Sequence, residues 1–183
     1  MKIIKTDIEG LIIIEPKIFE DERGYFFESF RKSMFEEINP EIKFVQENES
    51  KSAKNVLRGL HYQISPYTQG KLVQVIVGKV WDIAVDLRKD SPTFGKWLGI
   101  QLSDKNKLQM YIPEGFAHGF LTLEDDTIFQ YKCTNYYNKE SERNIRWNDS
   151  DLNIDWRIEN PIVSERDNKG IRFQEAINHK YIF

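Results

Sequence analysis

Four polar side chains suited to proton transfer or anion binding, Arg58, His61, Gln63 and Lys71, fall within fourteen consecutive positions. Their neighbours Val56, Leu57, Leu60 and Leu72 are apolar and call for burial. Polar heads on an apolar backbone suit the lining of a cavity, because a buried charge costs several kcal/mol unless a partner or ligand meets it. The same residues also fit a surface strand with solvated basic groups. A second cluster, Ile112-Pro113-Glu114-Gly115-Phe116-Ala117-His118-Gly119-Phe120, sets another histidine among apolar and small residues, and the chain holds only three.

The residue types narrow the chemistry. No His-x-His pair occurs, and neither His61 nor His118 has a carboxylate close by in sequence, so the donor set for a metal is thin. Serines sit in turn-like contexts without a Gly-x-Ser-x-Gly elbow, and Cys133 has no basic neighbour in sequence. No glycine-rich phosphate loop is present. General acid–base work remains, with His61, His118, Lys71 and Tyr131 as the inventory. Each also has a plainer reading. His118 fits a satisfied core histidine, Tyr131 a core tyrosine bonded to backbone, and Lys71 a solvated strand end.

The elements that position these groups read as β-strands. β-Branched and aromatic residues cluster in short runs broken by Gly, Pro, Asn and Asp, which points to an all-β sandwich or barrel. Gly10–Pro16 reads as a first strand and Tyr25–Phe30 as an aromatic one. Arg31–Ile38 has helical spacing, with Met34, Phe35 and Ile38 on one face. Leu72–Val77, a Gly78-Lys79 turn and Val80–Arg88 read as a hairpin whose second arm has one packed face and one face that meets water, either outside or in a cavity. Further strands are expected at Trp97–Leu102, Leu108–Ile112, Ala117–Leu123 and Thr127–Tyr136. Trp147 and Trp156 are expected to anchor a polar segment, and a short helix is expected to run to Phe183.

One domain spanning 1–183 is expected, without repeats or linkers. A net charge of −3 argues against a nucleic-acid binder with a large basic footprint. A single cysteine suits a reducing cytoplasm, and no segment has the apolar length of a signal peptide or membrane span.

Seven motifs in order carry a resemblance. They are Phe19-Glu-Asp-Glu-Arg-Gly24, Phe44-Val-Gln-Glu-Asn48, Val56-Leu-Arg-Gly-Leu-His-Tyr-Gln63 with Gln69-Gly-Lys71, Asp86–Trp97, Ile112–Phe120, Tyr131–Tyr137 and Ile145-Arg-Trp-Asn-Asp149. Over nearly its whole length the chain resembles the dTDP-4-dehydrorhamnose 3,5-epimerase family. The resemblance implies a metal-free cupin fold, a double-stranded β-helix (jelly roll) with short flanking helices, assembled as a homodimer. It implies no cofactor and a small-molecule substrate, dTDP-4-dehydro-6-deoxy-D-glucose, inverted at C3 and C5 to dTDP-4-dehydro-L-rhamnose.

By the same resemblance His61 is the general base, Asp167 its carboxylate partner, Lys71 the cation beside the enolate oxygen and Tyr131 the acid on the opposite face. Arg23, Glu28, Gln46, Asn48, Arg58, His118, Glu142 and Arg166 fall on substrate-binding positions, with Tyr137 stacking near the thymine or the sugar. The Arg23 and Glu28 segment fits either the chain's own site or that of a partner subunit. Two positions depart from the pattern: Arg166 stands where the family often has lysine, and Glu47 where Asp is common. A C3-only epimerase, a 3,4-ketoisomerase and a non-catalytic nucleotide-sugar-binding cupin are the competing readings.

Overall fold

The short β-branched and aromatic runs become strands in the computed structural model, which describes residues 1–183. In chain order these are Lys2–Lys5 (β1), Ile12–Glu15 (β2), Ile18–Asp21 (β3) and Gly24–Phe27 (β4), followed by the helix Lys32–Ile38 (α1). Then come Gln46–Ser52 (β5), Val56–Gln63 (β6), Lys71–Val77 (β7), Lys79–Asp86 (β8) and Trp97–Ser103 (β9). Gln109–Ile112 (β10), Phe116–Thr122 (β11), Thr127–Cys133 (β12), Glu142–Asn144 (β13) and Ile162–Val163 (β14) follow. Two short helices, Glu165–Asn168 (α2) and Phe173–Asn178 (α3), lie near the C-terminus.

Two sheets face each other, in the order β1-β2-β10-β7-β12-β5 and β13-β6-β11-β8-β9, and β14 adds in parallel to β6. Val73, Val75 and Phe129 of the first sheet meet Val80, Ala84, Phe116 and Phe120 of the second to form the interior. Each outer face is covered as well. Met34 and Phe35 of α1 pack on Ile12, Ile14, Leu72 and Tyr111, and α1 has no side-chain cap, so this burial is what holds it. On the other sheet the C-terminal segment brings Ile145, Leu152, Trp156 and Phe173 onto Leu57, Leu60, Trp81 and Ile83. The all-β jelly-roll expectation and the tryptophan anchors are met.

Three expectations are corrected. β7 and β8 form no hairpin. β7 pairs with β10 and β12, whereas β8 pairs with β11 and β9, and Gly78 is the corner between the sheets. Its φ is 83°, and a Cβ there would lie 2.5 Å from Thr127 Oγ1. β8 has no wet face either: Trp81, Ile83 and Val85 lie under the C-terminal segment, while Val80, Asp82 and Ala84 point between the sheets. The final helix also ends early. Lys180 turns left-handed at φ 56°, and Phe183 then extends along Leu87 and Lys89 through backbone hydrogen bonds of 3.1 and 2.8 Å.

The Asp86–Trp97 motif is a structural corner. Asp86, with a fully buried side chain, accepts from the Arg88 guanidinium, Ser91 Oγ and Thr93 Oγ1 at 2.6–2.9 Å. Burial pushes its carboxyl up, but these bonds outweigh burial and hold it down at about 2. The resulting stability is complete above the unfolded-state value near 3.8 and is lost as pH falls through about 2. Asp86→Asn should therefore cost about 1–2 kcal/mol at neutral pH, allowing for solvent screening, with the gap closing below pH 4 in urea titrations.

In β6 the register against β11 slips by one residue: His61 faces His118, but Arg58 faces Phe120. Gly59 is the extra residue, at φ 132°. A Cβ there would lie 2.5 Å from Gly119 Cα and 2.9 Å from the His118 carbonyl oxygen. Gly59→Ala should lower stability by about 2–4 kcal/mol in equilibrium unfolding.

Candidate active site

A cavity of about 280 Å³ opens between the two sheets near their β5 and β13 margins. Edge strand β5 turns Gln46, Asn48, Ser50 and Ser52 inward and Glu47, Glu49 and Lys51 outward, and pairs only with β12. Gln46, Asn48, Lys71 and Tyr131 line the first-sheet wall of the cavity, while His61 and Glu142 line the second.

His61 is partly open, with 30% of its side chain exposed. Its Nε2 lies 2.6 Å from Asp167 Oδ1. Asp167 is buried in α2, where the N-cap Ser164 Oγ accepts its backbone N–H at 3.0 Å. The Gly59 N–H donates to Asp167 Oδ2 at 3.3 Å, tying the bulge to the helix. Burial raises the Asp167 carboxyl, yet the His61 hydrogen bond and charge outweigh it and hold it below the usual carboxylate range. The carboxylate thus stays ionised and fixes the imidazole's orientation.

Lys71 is buried and forms no ion pair within 4.0 Å; its Nζ comes no nearer to a protein acceptor than the His61 carbonyl oxygen, at 3.5 Å. Burial lowers its pKa, and the neighbouring Cys133, Asp82 and Glu142, in that order, offset this in part. Tyr131 lies next to it, with Lys71 Nζ 6.0 Å from its ring centre, and burial raises the phenol.

At the mouth, Tyr137 Oη donates to Glu142 Oε2 at 2.8 Å, and the Arg166 guanidinium pairs with the other oxygen of Glu142. Gln46 accepts the Tyr137 N–H at 2.9 Å and donates to Asn48 Oδ1 at 3.1 Å. Arg58 reaches across from β6 to donate to Ser52 Oγ at 3.0 and 3.1 Å. His118 is buried behind the cavity wall rather than lining it, its Nε2 3.0 Å from Asp82 Oδ1.

Arg23 and Glu28 are not brought here. Arg23 pairs with Asp21 on the β3–β4 hairpin, and Glu28 pairs with Arg31 ahead of α1. That hairpin exposes Phe19, Tyr25 and Phe26 and joins neither main sheet. Nowhere do three His, Cys, Asp or Glu side chains gather as metal ligands.

Sequence reasoning assigned no role to Asp82, Asn144 or Gln69. Gln63 and Gln69 line the cavity and tie its rim to backbone at Tyr67, Tyr136 and Asn135. Both stood inside motifs already singled out. Asp82 had a signal too, since it alternates with apolar Trp81 and Ile83.

Residues 5–175 match the family model of dTDP-4-dehydrorhamnose 3,5-epimerase. The chain belongs to that family. It is 55% identical over 177 residues to the dTDP-4-dehydrorhamnose 3,5-epimerase of Shigella flexneri, covering 96% of this chain and 98% of that one. The Legionella pneumophila dTDP-6-deoxy-D-glucose-3,5-epimerase, solved in complex with dTDP-4-keto-L-rhamnose, superimposes with a TM-score of 0.92 at 50% identity, covering 99% of this chain and 96% of that one. A 3'-monoepimerase of Streptomyces bikiniensis, in complex with dTDP-quinovose, shares the fold with a TM-score of 0.90 at 32% identity, over 97% and 90% of the two chains.

In this 3,5-epimerase family member the four-residue helix α2 exists to present Asp167, and Ser164 is its cap. Ser164→Ala should lower stability by about 1 kcal/mol in urea unfolding.

Proposed function

We propose that the chain inverts C3 and C5 of dTDP-4-dehydro-6-deoxy-D-glucose, giving dTDP-4-dehydro-L-rhamnose, by proton transfer through an enolate. The carrying observation is the His61–Asp167 pair on one wall of the cavity, with Tyr131 and an unpaired buried Lys71 on the other. Epimerisation needs a base and an acid on opposite faces of one carbon, and the two sheets supply one each. His61 removes the proton beside the C4 ketone, with Asp167 stabilising the imidazolium that forms. Lys71 meets the negative charge that develops on the C4 oxygen, where a preorganised cation is worth most. Tyr131, kept protonated by burial, returns a proton from the far face.

Gln46, Asn48, Arg58, Tyr137, Glu142 and Arg166 hold the nucleotide sugar, the arginines by forked contacts to the diphosphate. His118 supports the sugar end from behind the wall. The exposed aromatics of the β3–β4 hairpin favour a homodimer in which Arg23 and Glu28 reach the partner's site. The single buried cysteine suits a reducing cytoplasm. A C3-only reaction is the second reading, given the monoepimerase neighbour, but the 3,5-epimerase relatives are more similar.

Proton NMR of the 4-keto sugar in D₂O with EDTA-treated protein tests the scheme. Deuterium should enter at both C3 and C5. His61→Ala should abolish exchange, and Tyr131→Phe should slow formation of the C5-inverted product by about 10²–10⁴-fold. Exchange without C5 inversion in the wild type would favour the C3-only reading, no exchange would leave a binding protein, and activity restored by metal would overturn the metal-free scheme.

A further inference from the structure

Asp82 is the fully buried carboxylate of β8, directed between the sheets. Its only hydrogen-bond partner is His118 Nε2, at 3.0 and 3.1 Å from its two oxygens. A buried carboxylate with one partner is costly unless a cation compensates it. Lys71, on the facing sheet, is a buried cation with no ion pair. The two halves of this imbalance sit in one closed layer, and His118, whose β11 strand lies between β6 and β8, links Asp82 to the row that holds His61.

We propose that Asp82, anchored by His118, is the counter-charge that keeps Lys71 an ammonium, and so is a positioning residue for the reaction. The inference rests on the epimerase reading above. The groups facing Lys71 are His61 on β6, Asp82 on β8, His118 on β11, Tyr131 and Cys133 on β12, and Glu142 on β13. Among the carboxylates acting on Lys71, Asp82 ranks ahead of Glu142, which is already engaged by Arg166 and Tyr137. Burial disfavours the charged form of both Lys71 and Tyr131, moving the amine down and the phenol up, so it eases the loss of the Lys71 proton as pH rises. Removing the Asp82 charge withdraws support from the ammonium and brings that loss to lower pH. Asp82 also holds one nitrogen of His118, which fixes the ring so that only Nδ1 is free of a protein partner.

The test is the pH profile of kcat/KM for Asp82→Asn beside the wild type, with solvent deuterium exchange at C3 and C5 as the assay. The alkaline limb should move down by about one pH unit, and kcat should fall more than KM rises. Thermal unfolding and dTDP binding at neutral pH should stay close to wild type. An alkaline limb that stays in place, with activity unchanged or lowered equally at every pH, would overturn the proposal and leave Asp82 a packing residue. Should Asp82→Asn not fold, Asp82→Thr, similar in volume and suited to a strand, carries the same expectation. Wild-type protein with no exchange at either carbon would overturn the epimerase reading and this proposal with it. Wild-type exchange with an unmoved limb in the variant would overturn this proposal alone.

Discussion

Side chains along a strand alternate between faces, so Arg58 and His61, three positions apart, would point to opposite sides of a regular sheet. The extra residue at Gly59 cancels that parity and turns both away from the face where Leu57 and Leu60 are buried. The device depends on two glycines meeting backbone to backbone, Gly59 on β6 and Gly119 on β11, a contact that leaves no room for a Cβ on either. Gly59 also donates its N–H to Asp167, so the irregularity that aims the histidine helps hold the carboxylate that orients it. The His61–Asp167 geometry therefore depends on a local break in the ladder rather than on its regularity.

Much of this was legible in the chain itself. Period-two alternation identified β12, with Phe129, Tyr131 and Cys133 inward, and the apolar spacing of Met34 and Phe35 identified α1. Strand partners were not legible. A glycine between two apolar runs marks a tight reversal equally well when the chain re-pairs with itself and when it crosses to the facing sheet, and at Gly78 it crosses. β8 misled for a related reason: alternation of Asp82 and Asp86 with large apolar residues suggests a wet face, yet both carboxylates are buried and partnered. The pairing of Asp167 with His61, 106 positions away, came from resemblance to a family and not from periodicity.

Burial sorts the reactive groups more finely than residue type does. A partly open histidine, a buried amine and a partly buried phenol share one cavity, and the same loss of solvent disfavours charge on both the amine and the phenol. For the phenol that means holding its proton, as an acid should. For the amine it means a threat to the charge an enolate needs, which a nearby carboxylate counters. Opposite chemical needs are met by one environment plus one well-placed anion.

The wall formed by β5 contains no apolar side chain: its sequence runs Gln-Glu-Asn-Glu-Ser-Lys-Ser, with one neighbour and one free margin. A segment that buries no hydrocarbon is held by its backbone ladder to β12 and by polar contacts such as Arg58–Ser52 and Lys132–Glu47, and segments with few apolar contacts open at the low end of a protein's range of local free energies. Outward Glu47, Glu49 and Lys51 discourage pairing of the free margin with another chain. The side chains that would grip a ligand, Gln46 and Asn48, thus ride on the part of the sandwich that separates most readily. Movement of that one edge would reshape the ligand's wall while leaving the apolar interior and the histidine–aspartate pair undisturbed.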